Sequence, residues 1–257
     1  MSGQAGRRVC IVTGSSSGIG AATALWFAQR GHDVVINYSR DAEPANAVAE
    51  RCRAAGADAL VLRADIADNA QCLALAEEVR QRWGGADVLV NNAGITTTIA
   101  DIKDLDALSD QDFQATYAVN VVGTYQMCRA VAPLMKGRDN AAIINISSMA
   151  ALMGTGSSIA YAASKGALNT LTLSLARSLA PAIRVNAILP GMVDSDWLRK
   201  RLGTEQFQAR RERYEARALL KDVITPDDVA RTAWWLAADA VKVTGQLVQL
   251  DAGFRLG

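Results

Sequence analysis

The chain has 257 residues, about half of them apolar, with 27 basic and 26 acidic side chains. A balance this close to neutrality leaves no electrostatic footprint for nucleic acid or an anionic membrane. The apolar runs are strand-length, far below the ~20 residues of a membrane-spanning helix. The opening Met-Ser-Gly-Gln-Ala-Gly-Arg-Arg has no hydrophobic signal core, so a cytoplasmic location is expected.

In chain order, Val9 to Thr13 is a β-rich apolar run within a predicted strand over 8–13. Gly14-Ser15-Ser16-Ser17-Gly18-Ile19-Gly20 follows at once, and a helix over 18–30 ends at Gly31. Strand, glycine turn and helix in this order meet the structural condition for a dinucleotide-binding turn. Glycines let backbone approach a pyrophosphate closely, and the helix N-terminus favours its charge. A second strand over 33–37 completes a β-α-β unit. The single histidine, His32, stands beside Gly31 and is expected as a solvated turn residue. Cys10, Cys52, Cys72 and Cys128 show no Cys-x-x-Cys spacing and read as free, mostly buried thiols. One histidine and no cysteine pair argue against zinc and against a Ser-His-Asp hydrolase, so no metal is expected.

Further strands are predicted at 59–63, 87–90, 142–147, 184–189 and 247–250, between helices near 42–55, 69–83, 109–135, 160–180, 195–219 and 226–238. This alternation predicts an α/β fold: a Rossmann-type doubly wound parallel sheet of about seven strands, with helices on both faces. Ligands of such sheets bind at the carboxyl ends of the strands. With no repeat or linker, residues 1–257 are expected to form one domain. Residues 192–224 interrupt the alternation as an arginine-rich insert. They read as an amphipathic helix with a solvated basic face, as a lid over the substrate, or as both.

Tyr161 and Lys165 stand four apart, thirteen residues after Ser148. On a helix, positions i and i+4 share a face. A phenol near pKa ~10 is a poor acid or base at neutral pH, but a neighbouring cation stabilises the phenolate. The pair can therefore make Tyr161 a general acid/base, with Ser148 holding the oxygen that exchanges the proton.

The spacing Gly14-x-x-x-Gly18-x-Gly20 and the Tyr161-x-x-x-Lys165 pair resemble the short-chain dehydrogenase/reductase family, and its 3-oxoacyl-acyl-carrier-protein reductase-like members in particular. Further marks stand in family order: Asn91-Asn92-Ala93-Gly94 after a strand, Asn120 in Tyr-Ala-Val-Asn-Val-Val-Gly, Ser148 after a strand, and Pro190-Gly191 after another. The resemblance implies the catalytic residues Ser148, Tyr161, Lys165 and Asn120. Tyr161 would exchange the proton, Ser148 would polarise the oxygen, and Lys165 would also hold the nicotinamide ribose. Asn120 would position a water that links Lys165 to solvent. It likewise implies cofactor contacts from Gly14, Ser16, Ser17, Gly18, Ile19 and Gly20 at the pyrophosphate. Asp65 and Ile66 would serve at adenine and Asn92, Ala93 and Gly94 at the adenosine ribose. Pro190, Gly191, Val193 and Ser195 would serve at the nicotinamide.

The second strand ends Asn37-Tyr38-Ser39-Arg40-Asp41, without the acidic residue that NAD-preferring members place on the ribose. Tyr38, Ser39 and Arg40 can accommodate a 2′-phosphate, so NADP(H) is expected as the preferred cofactor, with NAD(H) possible. Substrate walls are expected from Ser148, Met149, Ala150, Met153, Tyr161, Met192 and Trp197, together with Ile95, Leu152 and Ser158. They are mainly apolar and favour a hydrophobic ketone or 3-oxoacyl group over a free sugar. The alternatives are a sugar or polyol dehydrogenase of the same family and a non-catalytic NADP(H)-binding module. An isomerase usually carries an added substrate domain. The expected partners are a small carbonyl or alcohol substrate and copies of the chain itself, as a homotetramer or, second, a dimer.

Overall fold

Seven apolar runs become strands in the computed structural model, which describes residues 7–99, 101 and 103–257, without the side chains of Trp197, Lys200 and Arg201. They are β1 (Arg8–Val12), β2 (His32–Tyr38), β3 (Ala59–Arg63), β4 (Val88–Asn91), β5 (Ala141–Ile146), β6 (Ile183–Pro190) and β7 (Leu247–Leu250). All pair in parallel in one sheet, ordered β3-β2-β1-β4-β5-β6-β7. The chain winds outward from β1 to β3, then returns to the other side of β1 and winds outward again. The order reverses between β1 and β4, and a crevice opens there at the carboxyl ends of the strands.

Successive strand residues point to opposite faces, and both faces are buried. Cys10, Val12, Val34, Ile36, Val90 and Ile144 pack on α1 (Gly18–Ala28), α2 (Ala42–Ala54) and α10 (Pro226–Trp234). Val9, Ile11, Val35, Leu89, Ile143 and Val185 pack on α3 (Asn69–Trp83), α5 (Thr124–Met135) and α7 (Ile159–Leu179). This is why the strands read as continuous apolar runs and not as alternations. Helix starts follow local capping chemistry. Asp41 and Asp68 accept from backbone amides of α2 and α3. Ser109 and Asp112 form a capping box on α4 (Asp110–Tyr117), and Thr225 and Asp228 another on α10, with Pro226 at its start.

Several local expectations are corrected. The segment near 109–135 is helical throughout, but Ala118–Gly123 widens into a π turn between α4 and α5. Gly123 lets this turn pack on Ile66, which a Cβ there would approach to 2.9 Å. The segment near 195–219 divides at Gly203 (φ +78°) into α8 (Asp196–Leu202) and α9 (Thr204–Arg217). A short helix not foreseen, α6 (Ala150–Met153), follows β5. His32 is not a solvated turn residue. Gly31 (φ +83°) completes the turn, so His32 opens β2 at 5% exposure. Its ring meets Phe27 and Trp234 edge-on at 5.2 and 5.3 Å, and burial lowers its pKa to about 4. The four cysteines are buried and free, as expected. Among the described residues no helix is long and apolar enough to cross a membrane, and no cluster of metal-ligating side chains occurs.

One arginine caps chain ends beside the amino end of β6. The carbonyls at the end of a helix have no intrahelical partner. Arg184 on β6 donates to the carbonyls of Leu236, Ala237, Ala240 and Val243 at 2.7–3.1 Å and to the Asn140 side chain. Arg184→Met leaves those carbonyls short of donors. It is expected to lower stability by about 2–4 kcal/mol in urea unfolding, whereas a change under ~0.5 kcal/mol would mean that water replaces the guanidinium.

Candidate active site

The turn after β1 is held open by its neighbours. Gly14 and Gly18 have positive φ, +60° and +54°. The Gly14 amide donates to the Asn37 side chain, and the Asn37 amide donates to Ser15 Oγ. Asn37 Nδ2 in turn donates to the carbonyls of Leu62 and Ala64 at the end of β3. On the other side, Asn92 Nδ2 donates to the carbonyls of Thr13 and Gly14, while Thr13 Oγ1 accepts from the amides of Asn92 and Ala93. Gly20 lies beneath this knot, where a Cβ would sit 2.5 Å from both Asn92 Nδ2 and the Gly14 carbonyl. Asn37 is 2% exposed and faces inward, a role that a reading of cofactor contacts alone did not find.

Two strands away, at the end of β5, α7 brings Tyr161 and Lys165 to the cleft. Ser158 caps the helix by accepting from the Tyr161 amide. Lys165 is 4% exposed, its Nζ 5.7 Å from the Tyr161 ring centroid and donating to the Ile146 carbonyl at 2.8 Å. Burial lowers its pKa to about 8. The two adjacent serines point to different surroundings. Ser147 Oγ is buried and donates to Asn169. Ser148 is half-buried in the cleft, where its Oγ accepts from the Ala150 amide.

Asn120 sits in the π turn. Its Oδ1 accepts from the Ile95 amide, and its Nδ2 donates to the Ile95 carbonyl and to Ser164 Oγ. Ser164 Oγ donates to the Tyr161 carbonyl. The side chain therefore ties the strand exit after β4 to the turn of α7 that carries Tyr161. Its observed partners are protein groups.

These elements border one cleft of about 1970 Å³. Ser148, Tyr161 and Lys165 reach its wall, as do Gly14, Ser16, Ser17, Gly18, Ile19, Tyr38, Ser39, Arg40, Asp65, Ile66, Asn92, Ala93, Gly94, Pro190, Gly191, Val193 and Ser195. Gly20 and Asn120 stand behind it as supports. Of the expected substrate walls, Ile95, Met149, Ala150, Met153 and Met192 line the cleft. Leu152 points outward and Ser158 is committed to its cap, so neither does. The Trp197 side chain lies outside the described residues. Tyr214 and Phe254 were not foreseen. Their rings stack 4.2 Å apart at the cleft, and Tyr214 donates to the Asp251 carbonyl. The insert is closed at its neck, where the Asp194 amide donates to the Ile224 carbonyl and the Ile224 amide to the Met192 carbonyl.

A sequence model of the family described as enoyl-(acyl carrier protein) reductase matches residues 14–255. The 3-oxoacyl-[acyl-carrier-protein] reductase FabG of Staphylococcus aureus is 35% identical over 245 residues, covering 95% of this chain and 96% of its own. The chain belongs to the short-chain dehydrogenase/reductase family. A Burkholderia xenovorans structure described as a short-chain dehydrogenase/reductase aligns with a TM-score of 0.90 at 45% identity, covering 99% of this chain and 100% of its own. The ligand-free aldohexose dehydrogenase of Thermoplasma acidophilum aligns with a TM-score of 0.85 at 27% identity, covering 98% and 95%.

As a short-chain dehydrogenase/reductase of the FabG-like kind, the protein is an oxidoreductase acting on CH–OH or keto groups, with a nicotinamide cofactor and a small-molecule substrate. The cleft fits that cofactor. At Gly18 a side chain would meet nothing within 4 Å, so the backbone there is open to a phosphate. At Gly94 a Cβ would lie 3.2 Å from Asn120 Oδ1 and 3.5 Å from Lys165 Nζ, which leaves that backbone clear beside the ammonium.

The buried lysine has a measurable consequence. Its pKa in the fold, about 8, lies below the ordinary 10.5. Below about 8 the fold carries a desolvated charge. Between the two values the unfolded chain holds the extra proton, and stability rises with pH. Relative to Lys165→Met, the cofactor-free protein is expected to gain stability in urea unfolding as pH rises through this window. A gap independent of pH would contradict burial of the ammonium.

Proposed function

We propose that the protein is an NADPH-dependent reductase that interconverts a ketone and a secondary alcohol, acting on a 3-oxoacyl or similarly hydrophobic carbonyl compound. The observation that carries this reading is the convergence of Ser148, Tyr161 and Lys165 on one wall of the cleft, with the ammonium buried beside the phenol ring. When bound, the nicotinamide supplies or accepts the hydride. Ser148 Oγ holds the carbonyl oxygen and polarises it. Tyr161 gives its proton to that oxygen, and takes it back in the oxidative direction. Lys165 stabilises the phenolate left behind and holds the ribose hydroxyls. Asn120 fixes the backbone around both. Gly14, Ser16, Ser17, Gly18 and Ile19 hold the pyrophosphate over the amino end of α1, and Pro190, Gly191, Val193 and Ser195 hold the nicotinamide.

Preference for NADPH rests on the end of β2. Arg40 is exposed at the cleft with no carboxylate partner among the described residues, and Arg63 Nε donates to the Ser39 carbonyl nearby. Asp41 is occupied in capping α2, where it accepts from the Glu43 amide. Asn37, near the end of β2, is an amide bonded to backbone groups, so it brings no carboxylate to a ribose 2′-hydroxyl.

Ile95, Met149, Met153 and Met192 give the reacting end of the cleft apolar walls, which favours a hydrophobic ketone over the sugar suggested by the aldohexose dehydrogenase. A non-catalytic nucleotide-binding module would have no use for the complete set Ser148, Tyr161 and Lys165. The chain is proposed to act as one domain, its 192–224 insert forming the lid, in the cytoplasm. Val122, Tyr125 and Leu173 are exposed on the π turn, α5 and α7, and they support assembly into a homotetramer, with a dimer as the second reading.

Two outcomes are expected. Tyr161→Phe lowers kcat for ketone reduction by about 10²–10⁴-fold with NADPH affinity retained; unchanged turnover would remove Tyr161 from the reaction. Arg40→Glu lowers the ratio of NADPH to NADH in kcat/KM by roughly 10-fold or more, as loss of a charge-assisted phosphate contact does. An unchanged ratio would place the preference elsewhere.

A further inference from the structure

Beyond the reacting centre, the cleft has a cationic wall that the reaction does not use. It is built by one face of α9. Gln206, Ala209, Arg210, Arg213 and Arg217 all line the cleft, at spacings that place them on one side of a helix. The other basic residue of this stretch, Arg211, is neutralised by Asp194 and Glu215 at 3.0 and 2.6 Å. Arg217 lies over the Phe254 ring and donates to the Gly257 carbonyl. Arg210 and Arg213 differ from both. Among the described residues neither has a carboxylate partner, and Arg213 donates only through Nε, to the Ala209 carbonyl. The single acidic residue on this face is Glu205, in the first turn.

The cofactor does not account for this charge. α9 is fixed at the β6–β7 side of the molecule, where Tyr214 donates to the Asp251 carbonyl just after β7. The residues proposed for the pyrophosphate follow β1, and those for the 2′-phosphate follow β2. In the sheet order β6 lies three strands from β1 and four from β2, which is about 14 and 19 Å at ~4.8 Å per strand. The arginines therefore face the side of the cleft left to the substrate.

We propose that Arg210 and Arg213 form a specificity-determining subsite that binds an anionic group on the substrate, a carboxylate or a phosphate, remote from the reacting carbonyl. The inference rests on the ketone-reductase reading and names the substrate class within it. The two positions are three residues apart, about 4.5 Å along the helix axis, so both guanidinium forks can close on one anion. Met149, Met153 and Met192 lie on the cleft walls and suit an apolar spacer between ketone and anion. The substrate class is thus a ketone with an apolar body and a charged tail.

The test compares matched pairs on the NADP⁺-saturated protein by calorimetry: a long-chain keto acid against its methyl ester, and pantetheine 4′-phosphate against pantetheine. At least one anionic probe is expected to bind 10-fold or more tightly than its neutral partner. The pair that shows the gap distinguishes carboxylate from phosphate. Added salt should narrow the gap, and Arg210→Gln with Arg213→Gln should erase it while thermal unfolding confirms the fold. Equal affinities within both pairs would overturn the subsite. So would a gap that survives the double variant, or a loss in that variant that falls on NADPH affinity instead. The reductase reading fails separately: if wild-type protein reduced no ketone while the gap and its loss were both observed, the subsite would stand and the proposed reaction would fall.

Discussion

A single ammonium group, Lys165 Nζ, is buried where β5 ends, with the Ile146 carbonyl as its hydrogen-bond partner and the Tyr161 ring beside it. Burying a charge is costly unless it is paired or hydrogen-bonded, and burial brings this one within reach of neutral pH. The surrounding architecture accommodates that constraint. The parallel sheet brings a carbonyl to the carboxyl end of β5, and α7 delivers the lysine from the next crossover. The lack of a side chain at Gly94, where a Cβ would lie 3.5 Å from Nζ, leaves the charge uncovered on that side. In the proposed reaction, the cost of keeping the ammonium dry is offset by its hold on a phenolate and on the ribose.

Around that centre, asparagine side chains join elements that the sheet alone leaves separate. Asn37 links the glycine turn to the end of β3, Asn92 links it to β4, and Asn120 links the exit from β4 to α7. Each bonds backbone groups at chain exits, where no strand partner remains to satisfy them. These bonds tie the sheet side of the site together. The substrate side is different: α8 and α9 leave the body through the neck at Met192–Asp194 and Ile224, and carry mostly exposed side chains over the cleft. That division suits a lid whose composition sets specificity while the chemistry stays fixed.

Strand positions were legible because buried parallel strands are short apolar runs between turn signals, as in β1, β2 and β5. That Tyr161 and Lys165 reach the same cleft was legible because i and i+4 on a helix share a face, and the place of Ser148 there because its spacing to Tyr161 reproduced a family pattern. What escaped the sequence was decided by tertiary contact. The π turn at Ala118–Gly123 packs against Ile66, which lies far away in sequence, with only a hydrogen at Gly123 fitting there. The burial of His32 follows from Phe27 and Trp234 closing over it. Asn37 looked like a position lacking an acidic residue, and its inward role needed β3 to be in place. For the insert that carries Arg210 and Arg213, a solvated basic face, a lid or both stayed open in the sequence, and the cleft-lining place of these two needed α9 to be set against the site.

The most direct test of the proposed chemistry follows the hydride itself. NADPH carrying deuterium at the transferable position of nicotinamide C4 would be incubated with the wild-type protein and a hydrophobic 3-oxo compound, and the alcohol examined by mass spectrometry. The account predicts one deuterium on the carbinol carbon and a hydroxyl proton that exchanges with solvent. Alcohol formed without deuterium at that carbon, or NADPH bound with no alcohol formed from any ketone, would contradict it.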